Sequence, residues 1–269
     1  MTPAPNPRLW RFARGTRVIL HLLGGLIWVL IAFPFYSVAR RRYVRTRWSR
    51  ELLGYFGFTL KIEGALPAEP GLIAANHVSW IDIFAVNALT PVSFVSKDEV
   101  IHWPIIGTLA RHNETIFLQR GSRGHAHTIG KDMAQRLAQG SWLAVFPEGT
   151  TTDGTHLHPF HGALLQPAID AGVPVTPVAL RYEDVSGKPS LLPAYAGDTS
   201  LWESFCMILS ARRLVIRLTI GAPVQIEPGS GSQGRKQLAH TLRDEISYTV
   251  DGDSILVKPA NDTKAARAF

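Results

Sequence analysis

From residue 60 to residue 220 the apolar residues fall into seven short runs, at 60–62, 72–75, 92–95, 115–118, 142–146, 175–180 and 214–220, each bounded by Gly, Pro or polar residues. Runs of this length are read as strands. Between them lie helix-length stretches at 81–89, 100–110, 125–139, 162–171 and 201–211. Strands alternating with helices must bury a sheet between helical layers. The pattern therefore predicts an α/β fold, with a central mixed, largely parallel sheet flanked by helices. Residues 228–234 read as a Gly/Ser linker, and Leu238, Leu242, Ile246 and Val250 mark a last amphipathic helix at a spacing of four.

The first fifty residues obey a different rule. They hold ten arginines and no Lys, Asp or Glu. They carry +10 against a net +7 for the whole chain, which leaves −3 for residues 51–269. A basic excess confined to a short arm beside an apolar segment points to anionic membrane lipids, where each cation contributes about 1 kcal/mol. It points away from nucleic acid. The apolar segment, 18–39, is long enough to approach a membrane span, though His21, Gly24, Gly25 and Pro34 interrupt it. Its length, the lack of a small-residue cleavage site and the arginines that follow argue against a cleaved signal peptide, and arginines on both flanks leave the insertion geometry open. Two geometries fit: a single span, or a helix bent near Gly24-Gly25 or Pro34 that enters one leaflet from the cytosolic side. Residues 43–58 alternate arginines with apolar residues, as an amphipathic helix on the interface does. The expected organisation is a basic membrane anchor over 1–58, a catalytic domain over 59–250 and a tail over 251–269. The lone Cys206 excludes an internal disulfide and suits a reducing, cytoplasm-facing domain.

The residues with chemical potential cluster where strands end. After the second run comes Asn76-His77-Val78-Ser79-Trp80-Ile81-Asp82. Ser79-x-x-Asp82 matches a helix capping box. On a continuous helix a spacing of five sets side chains about 140° apart. With His77 in the strand-to-helix turn and Asp82 in the first helical turn, the two can meet. Asp82 then fixes the tautomer and leaves the other ring nitrogen as a base. One carboxylate oxygen is not expected to serve both the cap and the imidazole. Arg120 and Arg123 follow the fourth run in a Gly/Ser loop, and guanidinium suits phosphate. Phe146-Pro147-Glu148-Gly149-Thr150 closes the fifth run, with Gly149 allowing close backbone approach. Pro174 and Pro177 enter the sixth, which confines that strand to an edge, a start or a bulge.

In order and spacing these four blocks resemble the four motifs of the glycerolipid acyltransferase family, typified by the 1-acylglycerol-3-phosphate acyltransferases. The resemblance spans about 71–181, and Lys97-Asp98-Glu99-Val100 fits between the first two blocks. It implies that His77 takes a proton from an acceptor hydroxyl while Asp82 orients it. The oxygen then attacks an acyl thioester, acyl-CoA or acyl carrier protein, with no acylated protein residue. Arg120, Glu148 and Gly149, with Arg123, are implied to hold the glycerol phosphate of a lyso-lipid acceptor. Thr150 and Pro177 complete the implied substrate-binding set. The resemblance implies no metal or redox cofactor, and it places the enzyme on a bacterial inner membrane. Two departures stand out. Thr151 and His161 occupy positions that are commonly basic, which leaves room for an acceptor such as a lyso-ornithine lipid.

Rival readings fare worse. No Gly-x-Ser-x-Gly elbow occurs, against a serine hydrolase. His156-x-His158-x-x-His161 and His125-x-His127 lack the partners of a familiar zinc motif. A membrane-anchored lipid-binding protein without chemistry is the rival of another class.

Overall fold

The computed structural model describes residues 7–103, 106–118 and 123–251. The first half of the chain forms α1 (Arg8–Ile31), α2 (Val38–Tyr55), β1 (Phe58–Glu63), β2 (Leu72–Ala75), α3 (Asp82–Leu89), β3 (Ser93–Lys97), α4 (Ile106–His112) and β4 (Ile116–Leu118). Then come α5 (Arg123–Ala138), β5 (Leu143–Val145), α6 (Gln166–Ala171), β6 (Val175–Glu183), α7 (Leu201–Ser210), β7 (Leu214–Ile220) and α8 (Gly231–Asp251). Each of the seven apolar runs is a strand.

They form one sheet in the order β1-β7-β6-β2-β5-β3-β4. Every neighbouring pair is parallel except β6–β7. The central strand β2 is buried along its length, and its side chains divide between two cores. Ile73 and Ala75 join a cluster with residues of α2, α3 and α7, while Leu72 and Ala74 join one with α5, α6 and α8. Helices on both faces explain why the strands read as continuous apolar runs rather than alternating ones.

Pro177 needs a finer account than a strand edge. β6 is central, and Pro177 pairs with Ala74 on the β2 side. On the other side the β7 ladder begins at Val178, one residue later. The Pro177 carbonyl still accepts from Gly221 N (2.9 Å), so the ring removes a single rung. Antiparallel pairing is also present before it, at Val175–Val224, so Pro177 sits at an interruption of the ladder on that side.

Three helix boundaries differ from expectation. The stretch 100–110 divides into a 3₁₀ turn, Asp98–His102, and α4, with Pro104 between, which cannot donate and disfavours helix before it. The stretch 162–171 likewise divides into Gly162–Leu164 and α6. The Gly/Ser linker is shorter than expected, because α8 begins at Gly231 within it. The tail from residue 252 lies outside the described residues.

The N-terminal segment is a helical hairpin. α1 starts ten residues before the apolar segment and stops at Ile31, and a 3₁₀ turn containing Pro34 leads to α2. Neither helix stands away from the domain. Val18 is fully buried in the main core, and a Cβ at Gly15 would lie 3.2 Å from Leu209 of α7. α2 buries Ser49, Leu52 and Leu53 and packs against α3. Several arginines serve the fold. Arg14 donates to the carbonyls of Ala211 and Arg212 just past α7, and Arg50 donates to Ala88 O near the end of α3 (2.9 Å). Such donors satisfy carbonyls that helix ends leave open.

Candidate active site

The parallel strands β2, β5 and β3 deliver their C-terminal ends to one edge of the sheet, the position where open α/β sheets bind ligands. Beyond β2 the pairing continues through a side chain. Asn76 Nδ2 donates to Leu180 O (3.0 Å), and Leu180 N donates to Asn76 Oδ1 (2.7 Å). An amide side chain thus stands in for one more residue of strand, and His77 leaves the sheet from a fixed point.

The chain turns over Val78–Ile81 and enters α3 at Asp82. His77 Nδ1 and Asp82 Oδ2 lie 2.9 Å apart. The same Oδ2 accepts from Val78 N (2.7 Å) and Ser79 N (2.9 Å). This corrects the expectation that one oxygen cannot serve both cap and imidazole. The turn wraps two backbone N–H groups and the ring N–H around a single charged oxygen, and charge-assisted bonds make that favourable. The serine half of the cap is weak, since Ser79 Oγ faces Ile81 N at 3.4 Å. Asp82 Oδ1 accepts from the Tyr182 hydroxyl of β6 (2.6 Å). Asp82 is fully buried, while the His77 side chain keeps 19% of its surface exposed. In a neutral ring, Nδ1 donating to Asp82 leaves Nε2 as the acceptor.

The Phe-Pro-Glu-Gly-Thr loop braces the other side. The His77 ring stacks on Phe146 with centroids 3.9 Å apart, and Phe146 stacks in turn on Phe94 of β3. Glu148 Oε1 accepts from His77 N (2.8 Å) and Oε2 from His158 N (2.8 Å). Burial pushes the Glu148 carboxyl above its ordinary value, and these N–H groups pull the other way. Thr152 N donates to His77 O (2.8 Å), so both main-chain groups of His77 are held by this loop. Gly149 adopts φ +69°, and a Cβ there would lie 3.2 Å from the His161 ring. Thr150 is exposed beside it. Thr151 donates to Tyr195 O, and Tyr195 N donates to Val78 O (2.8 Å), which ties the segment after β6 over the turn. Trp80 Nε1 donates to Ser204 Oγ of α7 (3.0 Å).

The structure thus brings His77, Asp82, Glu148, Gly149 and Thr150 together. Pro177 is buried within the sheet, level with Ala74 rather than with the strand ends. Arg120 lies outside the described residues, and Arg123 opens α5. The His156 and His158 rings lie 5.3 Å apart, but among the described residues no group of three His, Cys, Asp or Glu side chains is placed to hold a metal ion. Tyr182 as a partner of Asp82 escaped sequence reasoning, because nothing in a strand pattern tells which residue 100 positions away faces a carboxylate.

Sequence reading also missed a cavity of about 1090 Å³ between the hairpin, α3, β3 and α4. Its wall includes Gly25, Trp28, Val29, Phe84, Phe94 and Leu109, and is mainly apolar. Phe94 belongs both to this wall and to the stack under His77. Two stacked rings, Phe146 and Phe94, therefore connect His77 to the wall of the chamber.

A sequence model of the Acyltransferase family matches residues 58–181. The 1-acyl-sn-glycerol-3-phosphate acyltransferase of Neisseria meningitidis is 37% identical over 207 residues, covering 76% of this chain and 80% of that protein. The lyso-ornithine lipid O-acyltransferase of Pseudomonas aeruginosa is 36% identical over 247 residues, covering 91% and 93%. Among solved structures, the 1-acyl-sn-glycerophosphate acyltransferase of Thermotoga maritima superposes with a TM-score of 0.63 over 91% of this chain and 100% of that one, at 19% identity. That last likeness speaks for the fold.

Proposed function

The chain belongs to the acyltransferase family, and from that premise we propose that it transfers a fatty acyl chain from acyl-CoA or acyl carrier protein to the free sn-2 hydroxyl of 1-acylglycerol-3-phosphate, giving phosphatidate. The observation that carries this reading is the His77–Asp82 contact of 2.9 Å, with Asp82 buried and His77 partly open. His77 Nε2 takes the proton of the acceptor hydroxyl as its oxygen attacks the thioester carbonyl. Buried Asp82 compensates the imidazolium that forms, as a triad carboxylate does. Collapse of the tetrahedral adduct breaks the C–S bond, and the leaving thiolate takes the proton back from His77. The imidazole ends neutral, and no group of the enzyme is acylated. The apolar chamber beside Phe94 supports a place for an acyl chain. Arg120 and Arg123 are assigned to the acceptor phosphate.

The hairpin supports embedding in one leaflet over a free-standing span. α1 is long and apolar enough to cross a membrane. Yet its inner side packs on the domain from Gly15 to Val29, while Phe12, Ile19, Leu23, Ile27, Leu30 and Ile31 face outward. A helix fixed along a water-soluble domain can sink its outer face into the interface without leaving that domain. The placement proposed is the cytoplasmic face of a bacterial inner membrane.

A second reading rests on Thr151. Its hydroxyl is engaged by the Tyr195 carbonyl, and the position carries no charge for a phosphate. The near full-length similarity to a lyso-ornithine lipid O-acyltransferase favours that acceptor. Purified protein incubated with labelled acyl-CoA or acyl carrier protein should convert lysophosphatidate to phosphatidate. Transfer to lyso-ornithine lipid alone would establish the second reading, and transfer to neither would end both.

A further inference from the structure

We propose that Tyr182 is the third member of the reactive assembly, a positioning residue that acts on His77 through Asp82. This rests on the reading of His77 as the base. Four donors meet the Asp82 carboxylate. Three of them, His77 Nδ1, Val78 N and Ser79 N, come from the turn itself and all address Oδ2. They would allow the carboxylate to pivot about that oxygen. Among the described residues Tyr182 alone engages Oδ1, at 2.6 Å, and it comes from β6 on the far side of the turn. Its ring is packed against Phe58 with centroids 5.8 Å apart, and the residue is 4% exposed. A rigid phenol therefore fixes the carboxylate plane and hence the direction in which Oδ2 presents itself to the imidazole.

The placement of β6 makes this hold firm. The Asn76 amide pairs with Leu180, two residues before Tyr182, so the start of the turn and the base of the phenol are anchored to the same stretch of strand. Chemistry fits as well. Burial, and then the Asp82 charge, push the Tyr182 hydroxyl well above its ordinary value, while a hydrogen bond from the Ser79 side chain acts in the opposite sense. The phenol thus remains a neutral O–H donor whenever His77 works. Donation to Oδ1 also draws charge away from Oδ2. Asp82 then holds the imidazolium firmly enough to orient it without trapping the proton that the leaving thiolate must recover. Among the described residues, the charged or titratable groups facing His77 are Asp82 on α3 and Glu148 after β5; Glu148 also faces His158, and Tyr182 faces Asp82.

The test is Tyr182→Phe, which keeps the ring and removes one hydroxyl. Turnover is expected to fall about 10- to 100-fold, the range of a hydrogen bond to a charged group, with KM for both substrates nearly unchanged. Without the phenol, the Asp82 carboxylate can pivot about Oδ2, so the His77 ring loses its fixed orientation. The His77 ring resonances followed by NMR should change and broaden whether or not the acceptor has been identified, which separates this inference from the acyl-transfer reading. A double-mutant cycle gives the decisive contrast. If Tyr182 acts through Asp82, adding Tyr182→Phe to Asp82→Asn changes the residual rate by a factor near one. An equal loss in both backgrounds, or unchanged His77 ring resonances in a folded Tyr182→Phe protein, overturns the proposal.

Discussion

The turn after β2 and the N-terminal hairpin are both buried against the same core, but they treat polar atoms in opposite ways. In the turn, Asp82 satisfies four donors and Glu148 two, and both ends of the His77 peptide are held. In α2, three buried side-chain polar atoms, Arg45 Nε, Thr46 Oγ1 and Trp48 Nε1, have no hydrogen-bond partner among the described residues. Arg45 and Trp48 also border the chamber. A satisfied network specifies one geometry, whereas an unsatisfied apolar seam tolerates several. Chemistry needs the first, since a small misplacement of a base costs rate steeply. A chamber that takes flexible chains can use the second. Damage to the turn should therefore abolish turnover and leave membrane binding alone, and damage confined to the outer face of the hairpin should do the reverse.

The largest expected effect is His77→Ala. Loss of a general base lowers turnover about 10²- to 10⁴-fold. Sedimentation with vesicles of phosphatidylethanolamine and phosphatidylglycerol should match the wild type. Retained activity would break the comparison at its chemical end. Next is the outer face of α1. Replacing Ile19, Leu23, Ile27 and Leu30 by Ser removes four side chains worth about 1.5–3 kcal/mol each when fully buried in lipid. Vesicle affinity should drop at least about 100-fold, while turnover of short-chain, water-soluble substrates stays within about threefold of the wild type. A variant that still pellets would refute the one-leaflet anchor. Deleting the hairpin outright would not be a clean test, because Val18, Leu52 and Leu53 belong to the main core.

Smaller, and specific to the turn, is Glu148→Gln. The amide accepts at one atom only, so one of His77 N and His158 N loses its partner at about 1–3 kcal/mol, and turnover should fall about tenfold. The pH dependence has a definite sign. The folded carboxyl is raised above the ordinary value of 4.5, so the native state binds the proton more tightly than the unfolded chain. Its contribution to stability is therefore greatest below the ordinary value and declines as pH rises through the raised one. Urea titrations across that window should show wild-type stability declining relative to Glu148→Gln. Parallel curves would mean that Glu148 carries no strain from burial.

The same contrast explains what could be read in advance. Strands were legible because burial on both faces writes itself as continuous apolar runs, as at 72–75 and 214–220. The His77–Asp82 contact could be anticipated because a strand-to-helix turn lets residues five apart meet, while their roles came from the resemblance of the four blocks taken together. Tyr182, Phe94 and the chamber were not, since each depends on which elements lie side by side, and sheet order is not a local property. The hairpin misled for a related reason. Its arginines look alike in sequence, yet Arg14, Arg45 and Arg50 bond to backbone carbonyls while Arg47 pairs with Glu51 and Arg40 lies over the Tyr36 ring. Only the partner's position distinguishes them.

Two glycines give the finest version of the test, because the same substitution should act with opposite sign in the two regions. Gly149 stands at φ +69°, and a Cβ added to it would lie 3.2 Å from the His161 ring. Alanine there meets the left-handed backbone penalty of about 1–2 kcal/mol and presses on that ring. Gly24 lies inside α1, where a Cβ would meet none of the described residues within 4 Å. Alanine there gains helix propensity of about 0.5–1 kcal/mol and disturbs no described neighbour. Thermal unfolding in detergent should show Gly149→Ala melting below the wild type and Gly24→Ala above it. If both fell, the hairpin would be as tightly specified as the turn, and the division between a rigid reactive edge and an adaptable lipid-facing seam would not hold.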